Sequence, residues 1–131
     1  MTQEEKELLV KDLCGRLPYD IVINDEYGDY INVNINNANI EHLIDRVVSG
    51  LDKMVLRKLS SMTEEEEAEI ANILEEVYDF TFRTEELLEM IPMQETFPMA
   101  SIDWFYEKGF DIRGLIPKGL ALEDKEGMYI N

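Results

Sequence analysis

The chain has 131 residues, 45% hydrophobic and 31% charged, with 29 acids against 12 bases and a net charge of −17. A chain of this length buries roughly two-thirds of its unfolded surface, so a single domain over 1–131 is expected, and the composition argues against disorder. The acidic balance disfavours direct contact with nucleic acid or anionic lipid, which need Lys and Arg to displace counterions, while the lone cysteine, Cys14, excludes an intramolecular disulfide and a four-cysteine zinc site.

The opening MTQEEKE is charged where a signal peptide would be apolar, and no stretch approaches the ~18 apolar residues that span a bilayer. A cytoplasmic location is therefore expected; a secreted chain already relieved of its signal would read the same way. Thr2 and Glu5 have capping-box spacing. Leu9, Leu13 and Leu17, with Leu8 beside them, form an apolar stripe, and together these predict a helix from about Gln3 to Cys14. Gly15 is expected to end it, and Pro18 to prevent its continuation.

Ile21-Val22-Ile23 predicts a short strand, followed by a turn from Asn24 to Asp29. Ile31, Val33 and Ile35 alternate with Asn32, Asn34 and Asn36, which predicts a second, half-buried strand with a wet asparagine face and closes a hairpin. Asn39 is placed to cap a helix carrying Ile40, Leu43, Ile44, Val47 and Val48, ended by Gly50. Lys53 to Leu59 is ambiguous by periodicity, with a third strand preferred.

Thr63 and Glu66 repeat the capping box, and four successive glutamates stand where the helix dipole favours negative charge. Ile70, Ile73, Leu74, Val77 and Tyr78 form the expected buried stripe. A short helix is predicted from Glu85 to Ile91, capped by Thr84 and stopped by Pro92, then a loop to Met99. Ser101 is expected to cap a helix that carries Ile102, Phe105 and Tyr106 inward and ends at Gly109. Residues 110–123 are apolar but interrupted by Gly114, Pro117 and Gly119, and no element is assigned there. The resulting expectation is an α+β fold: a small antiparallel sheet, hairpin or three strands, packed against several amphipathic helices.

Four segments carry a resemblance: LVKDLCGRLPY, LRKLSSMTEEE, IDW with FDIRGLIPKGLALE, and GMY. In this order they resemble a family of short uncharacterised proteins of gut bacteria and of their phages and mobile elements. Relatives commonly place two histidines before the FDxRG stretch, where this chain has Lys108 and Gly109, and often a tyrosine at Ile112. The resemblance implies compartment and class, and no mechanism.

Few residues invite chemistry. His42 is the only histidine, away from the apolar stripe and without ligand partners, and reads as a surface residue. Cys14 sits at the end of a helix whose dipole disfavours thiolate, and is expected to be a small buried hydrophobe. Asp25, Glu26 and Asp29 lack the D-x-D-x-D-G spacing of a calcium loop and read as a solvated turn. No phosphate loop, dinucleotide motif or nucleophile elbow occurs. No catalytic, cofactor-binding or metal-binding residue is assigned, and no cofactor is expected.

The charge is uneven: between Thr63 and Met90 there are eleven acids and one base, Arg83. Glu64, Glu65, Glu66, Glu67 and Glu69 are therefore candidate interaction residues, against the plain reading of a solvated helix face. Trp104 and Tyr129 are the candidate aromatic anchors, against the plain reading of core. The expected function is a small, non-enzymatic, acidic protein-interaction domain, accessory to a phage or mobile element, with a protein as its partner. The alternatives are a nucleic-acid mimic that inhibits a DNA-binding protein and, least favoured, an enzyme working with carboxylates alone.

Overall fold

The structure, a computed structural model, describes residues 1–78 and 99–129, without the side chains of residues 77, 78, 99 and 100. The helix expected at Glu85–Ile91 and the loop after it lie outside the described residues, as do the acids of the run beyond Glu76. Among the described residues the elements are α1 (Gln3–Arg16), β1 (Ile21–Asn24), β2 (Tyr30–Val33), α2 (Ile40–Val48), β3 (Lys53–Leu56), a 3-10 turn (Leu59–Ser61), α3 (Glu64–Tyr78), α4 (Met99–Glu107) and β4 (Ala121–Glu123). The fold is α+β. No helix among them is long and apolar enough to cross a membrane.

The strands form one sheet in the order β2-β1-β3-β4. β1 pairs antiparallel with β2 (Ile23 opposite Ile31) and with β3 (Val22 opposite Val55), as a hairpin and third strand require. The sheet then gains a fourth strand: β4 lies parallel to β3, with Val55 opposite Leu122. A parallel neighbour demands a long crossover, and the chain from Arg57 to Leu120, with α3 and α4, provides it. One sheet face (Ile21, Ile23, Val33, Met54, Leu56 and Ala121) packs with Leu9, Leu13 and Leu17, and with Leu43 and Val47 of α2. A second cluster joins Ile70 and Leu74 of α3 to Trp104, Phe105 and Tyr106 of α4 and to Phe110 and Ile112.

Local signals set the helix starts. Thr2 Oγ1 accepts the Glu5 amide at 3.1 Å while Glu5 accepts the Thr2 amide at 2.9 Å, and Asn39 accepts the His42 amide at 3.1 Å. The ends differ from expectation. Gly50 takes φ +84° past α2, as a helix stop requires, but α1 runs straight through Gly15 to Arg16. Gly15 serves a close approach instead: a Cβ there would lie 2.6 Å from the Tyr106 ring. α4 begins at Met99, so Ser101 lies inside the helix, fully buried, and does not cap it.

Two expected burial patterns also change. β2 stops at Val33, its only buried residue, and leaves Ile31 and Ile35 exposed. The asparagines beyond it close the sheet edge: the Asn37 side chain accepts the Asn34 amide at 2.8 Å and donates to the Asn32 carbonyl at 3.3 Å. Such edge groups otherwise invite strand addition. Cys14 is exposed, not buried, because the inward side of α1 is Leu9, Asp12, Leu13 and Arg16, and Cys14 lies off that face.

Candidate functional site

Two of the inward positions of α1 are charged, and they pair. On α1, Asp12 and Arg16 are fully buried, one helical turn apart, joined at 2.6 Å and 3.2 Å. Arg16 also donates to the Phe110 carbonyl at 2.7 Å and lies 5.0 Å over the Tyr106 ring. Burial alone would lower the Arg16 pKa, but the Asp12 carboxylate outweighs it and the pKa is raised. Arg113 comes within 3.3 Å of Asp12 and donates to the Tyr106 hydroxyl at 2.8 Å.

Arg57, at the end of β3, reaches both carboxylate oxygens of Glu66 at 2.7 Å and stacks 4.1 Å over the Phe110 ring. Glu66 in turn completes the α3 capping box: it accepts the Thr63 amide at 3.0 Å, and its own amide donates to Thr63 Oγ1 at 3.2 Å. Burial pushes the Glu66 pKa up; the guanidinium and the cap amide together hold it below the usual carboxylate value. Both networks thus meet at Phe110, one on its carbonyl and the other on its ring. They tie α1, β3 and α3 to the chain following α4.

This anchoring aims the first turn of α3 at an open cleft of about 700 Å³, lined by Thr63, Glu64, Glu65, Glu66, Glu69, Lys108 and Tyr129. Five of the seven residues singled out in the sequence, Glu64, Glu65, Glu66, Glu69 and Tyr129, therefore line one cleft. Glu64 and Glu65 are exposed. Glu69 accepts the Trp104 indole N–H at 3.0 Å and lies 3.7 Å from the Lys108 ammonium. Glu66 contributes its stem while its charge is spent on Arg57. Glu67 stands on the same turn, half-buried, outside the lining.

The aromatic candidates are placed differently. Trp104 is buried, 7% exposed, stacked on Phe110 at 5.8 Å, and reaches the cleft only through Glu69. Tyr129 lies against Gly109, where a Cβ would come within 2.5 Å of its ring. Its hydroxyl accepts the Val22 amide at 2.9 Å and donates to the Val55 carbonyl at 2.6 Å, bridging two paired residues of β1 and β3. Burial pushes its pKa up to about 12. Tyr129 separates the acidic cleft from a second one of about 410 Å³ that includes Tyr19, Asp20, Asn32 and Glu107.

Of the remaining sequence candidates, His42 is exposed. Asp25 organises its turn by accepting the Tyr27 and Asp29 amides, and Glu26 pairs with Arg46 at 3.2 Å. Among the described residues, no three His, Cys, Asp or Glu side chains converge as a metal site would require. Sequence reading missed Lys108, the one base lining the cleft, and the Arg57–Glu66 pair. Asp12 and Arg16 carry a readable signal: they fall on the same helical stripe as Leu9 and Leu13.

Chemically the cleft offers Glu64, Glu65 and Glu69 as acceptors against the Lys108 ammonium. That arrangement can receive guanidinium or ammonium groups through charge-assisted hydrogen bonds. No family model, curated protein or solved structure matches the chain.

Proposed function

We propose that this protein is a non-enzymatic interaction domain that receives a lysine- or arginine-bearing segment of a protein partner in the α3 cleft. The observation that carries the reading is the placement of Glu64, Glu65 and Glu69 on one wall of an open cavity, with α3 held in place by the buried Glu66–Arg57 pair. A face used for binding needs rigid support behind exposed acceptors, and the first turn of α3 has both. The burial of Trp104 moves the weight away from an aromatic anchor and onto the carboxylates. An accessory role in a phage or mobile element belongs to the same proposal and rests on the sequence resemblance alone.

The experiment is calorimetric titration with an unstructured peptide containing alternating Lys and Arg, at several salt concentrations. Exposed ion pairs contribute ~0.5 kcal/mol each, so replacing Glu64, Glu65 and Glu69 together by glutamine is expected to weaken binding about ten-fold. A control removes the same charge elsewhere, at Glu4, Glu41 and Glu126. If both triple variants weaken binding equally, the attraction is a property of net charge and the cleft has no special part in it.

The nucleic-acid mimic is the second reading. The exposure of Glu64 and Glu65 favours it, whereas the engagement of Glu66 by Arg57 and of Glu69 by Trp104 and Lys108 thins the array of free charges. A mimic would displace duplex DNA from a basic DNA-binding protein; a segment-binding domain would leave the duplex bound.

A further inference from the structure

Six large hydrophobic side chains stand exposed among the described residues, and four of them, Tyr27, Tyr30, Ile31 and Ile35, lie on or beside β2. A concentration of that kind marks a contact surface. The same strand has an open hydrogen-bonding edge. The Asp25 amide donates to the Asp29 carbonyl and the Ile35 amide to the Leu17 carbonyl. At period two, Ile31 and Val33 therefore turn their main-chain groups toward β1, and Tyr30 and Asn32 turn theirs outward. The Asn37 side chain takes the Asn32 carbonyl and, beyond it, the Asn34 amide. The Tyr30 N–H, the Tyr30 C=O and the Asn32 N–H are left facing solvent at the sheet edge.

These groups ask for an extended strand, and the surroundings set its charge. Residues 17–39 carry four acids, Asp20, Asp25, Glu26 and Asp29, and no base; Arg46 of α2 pairs with Glu26. A second copy laid edge to edge would set these acids against their own kind, whereas a basic strand meets complementary charge. We propose that β2 receives an extended, basic segment of a protein partner as an added antiparallel strand. Antiparallel pairing lets one incoming residue exchange both bonds with Tyr30, while the residue two before it accepts the Asn32 N–H. Side chains alternate between the faces. Those opposite Tyr30 and Asn32 lie on the face where Asn32 shares a cleft with Asp20 and Glu107, which calls for lysine or arginine. The one between them lies beside Ile31 on the face of Val33, which calls for valine or isoleucine. Tyr30, Ile31 and Asn32 line no part of the α3 cleft, so either proposal can fail without the other.

The test is amide hydrogen exchange by NMR with a capped peptide of alternating Lys and Val, a readout local to this edge. Exchange at Tyr30 and Asn32 is expected to slow at least about ten-fold at saturating peptide. The same peptide N-methylated at every lysine keeps its charge but cannot exchange bonds with Tyr30, and is expected to slow these amides less than about two-fold. An alternating Lys/Arg peptide, with no apolar residue for Ile31, is expected to do the same. Tyr30→Pro removes an outward N–H at the first position of an edge strand, where proline is tolerated, and is expected to abolish the slowing at Asn32. Circular dichroism checks folding; if Tyr30→Pro does not fold, the N-methylated peptide decides. No slowing up to about 1 mM peptide, or equal slowing by the N-methylated or Lys/Arg peptide, overturns the proposal. So does protection of both amides that rises with the concentration of the free chain, which would make a second copy the occupant.

Discussion

Replacing Glu66 by glutamine keeps the side chain's size and an oxygen for the Thr63 amide, so the capping box can persist. What it removes is the negative charge opposite Arg57. The two side chains are only 3% and 12% exposed and meet at 2.7 Å. The other acceptors of Arg57 are distant, the Lys108 carbonyl at 3.3 Å and the Ser61 carbonyl at 3.4 Å, and neither is charged. Removing one partner of a buried ion pair costs ~3–5 kcal/mol. The residual exposure of Glu66 and the Phe110 ring face place this case at the lower end, ~3 kcal/mol. Glu64→Gln, on the exposed part of the same turn, forgoes only a dipole interaction of ~0.5 kcal/mol.

Urea unfolding at pH 7 separates the two variants, with the slope m unchanged; in thermal unfolding Glu66→Gln should lower Tm by ~10 °C for a chain of this size. The pH dependence supplies a second signature. The Glu66 pKa is lowered from 4.5 on folding, so its contribution is complete above pH 4.5 and lost as pH falls through the folded value. Wild type and Glu66→Gln should therefore converge in acid. A Glu66→Gln variant as stable at pH 7 as Glu64→Gln would refute the account of how α3 is anchored.

Gly15→Ala improves helix propensity by ~1 kcal/mol, yet its Cβ would press into the ring of Tyr106, which is buried and hydrogen-bonded to Arg113. A net loss of ~1–3 kcal/mol in chemical denaturation is expected, and a stabilised variant would contradict the packing. Tyr129→Phe removes both hydrogen bonds across β1 and β3 and should cost ~1–3 kcal/mol. In wild type, ultraviolet titration should show one phenol ionising near pH 12, and its stabilisation, full below pH 10, should fade between pH 10 and 12. Ionisation of every tyrosine near pH 10 would exclude the buried hydroxyl bridge.

What could be read in advance was local. The Thr2–Glu5 and Thr63–Glu66 caps, Asn39 and Gly50 act within four residues, and each has a distinct chemical signature. Gly15 shows the limit of that reading: a glycine near a helix end has two physical uses, and the one realised depends on Tyr106, ninety-one positions away. β4 was illegible because three residues, Ala121–Glu123, carry too little periodicity, and their parallel partner is set by a crossover of more than sixty residues. Ile31 and Ile35 alternate as buried residues would, yet they lie on or beyond the edge strand where the helices leave them uncovered. At the cleft, the glutamates of α3 were visible as a charge run. That Glu66 is committed to Arg57, and that Trp104 supports Glu69 from below, are tertiary facts with no local signal.

The most direct test of the central reading is to locate the binding surface by NMR. The 15N-labelled protein would be titrated with the Lys/Arg peptide, and amide shifts followed residue by residue. The account predicts the largest perturbations at Glu64 to Glu69, Lys108 and Tyr129, including the Trp104 indole N–H through Glu69. Perturbations centred on the Asp25–Asp29 turn, or spread evenly over the acidic surface, would contradict it.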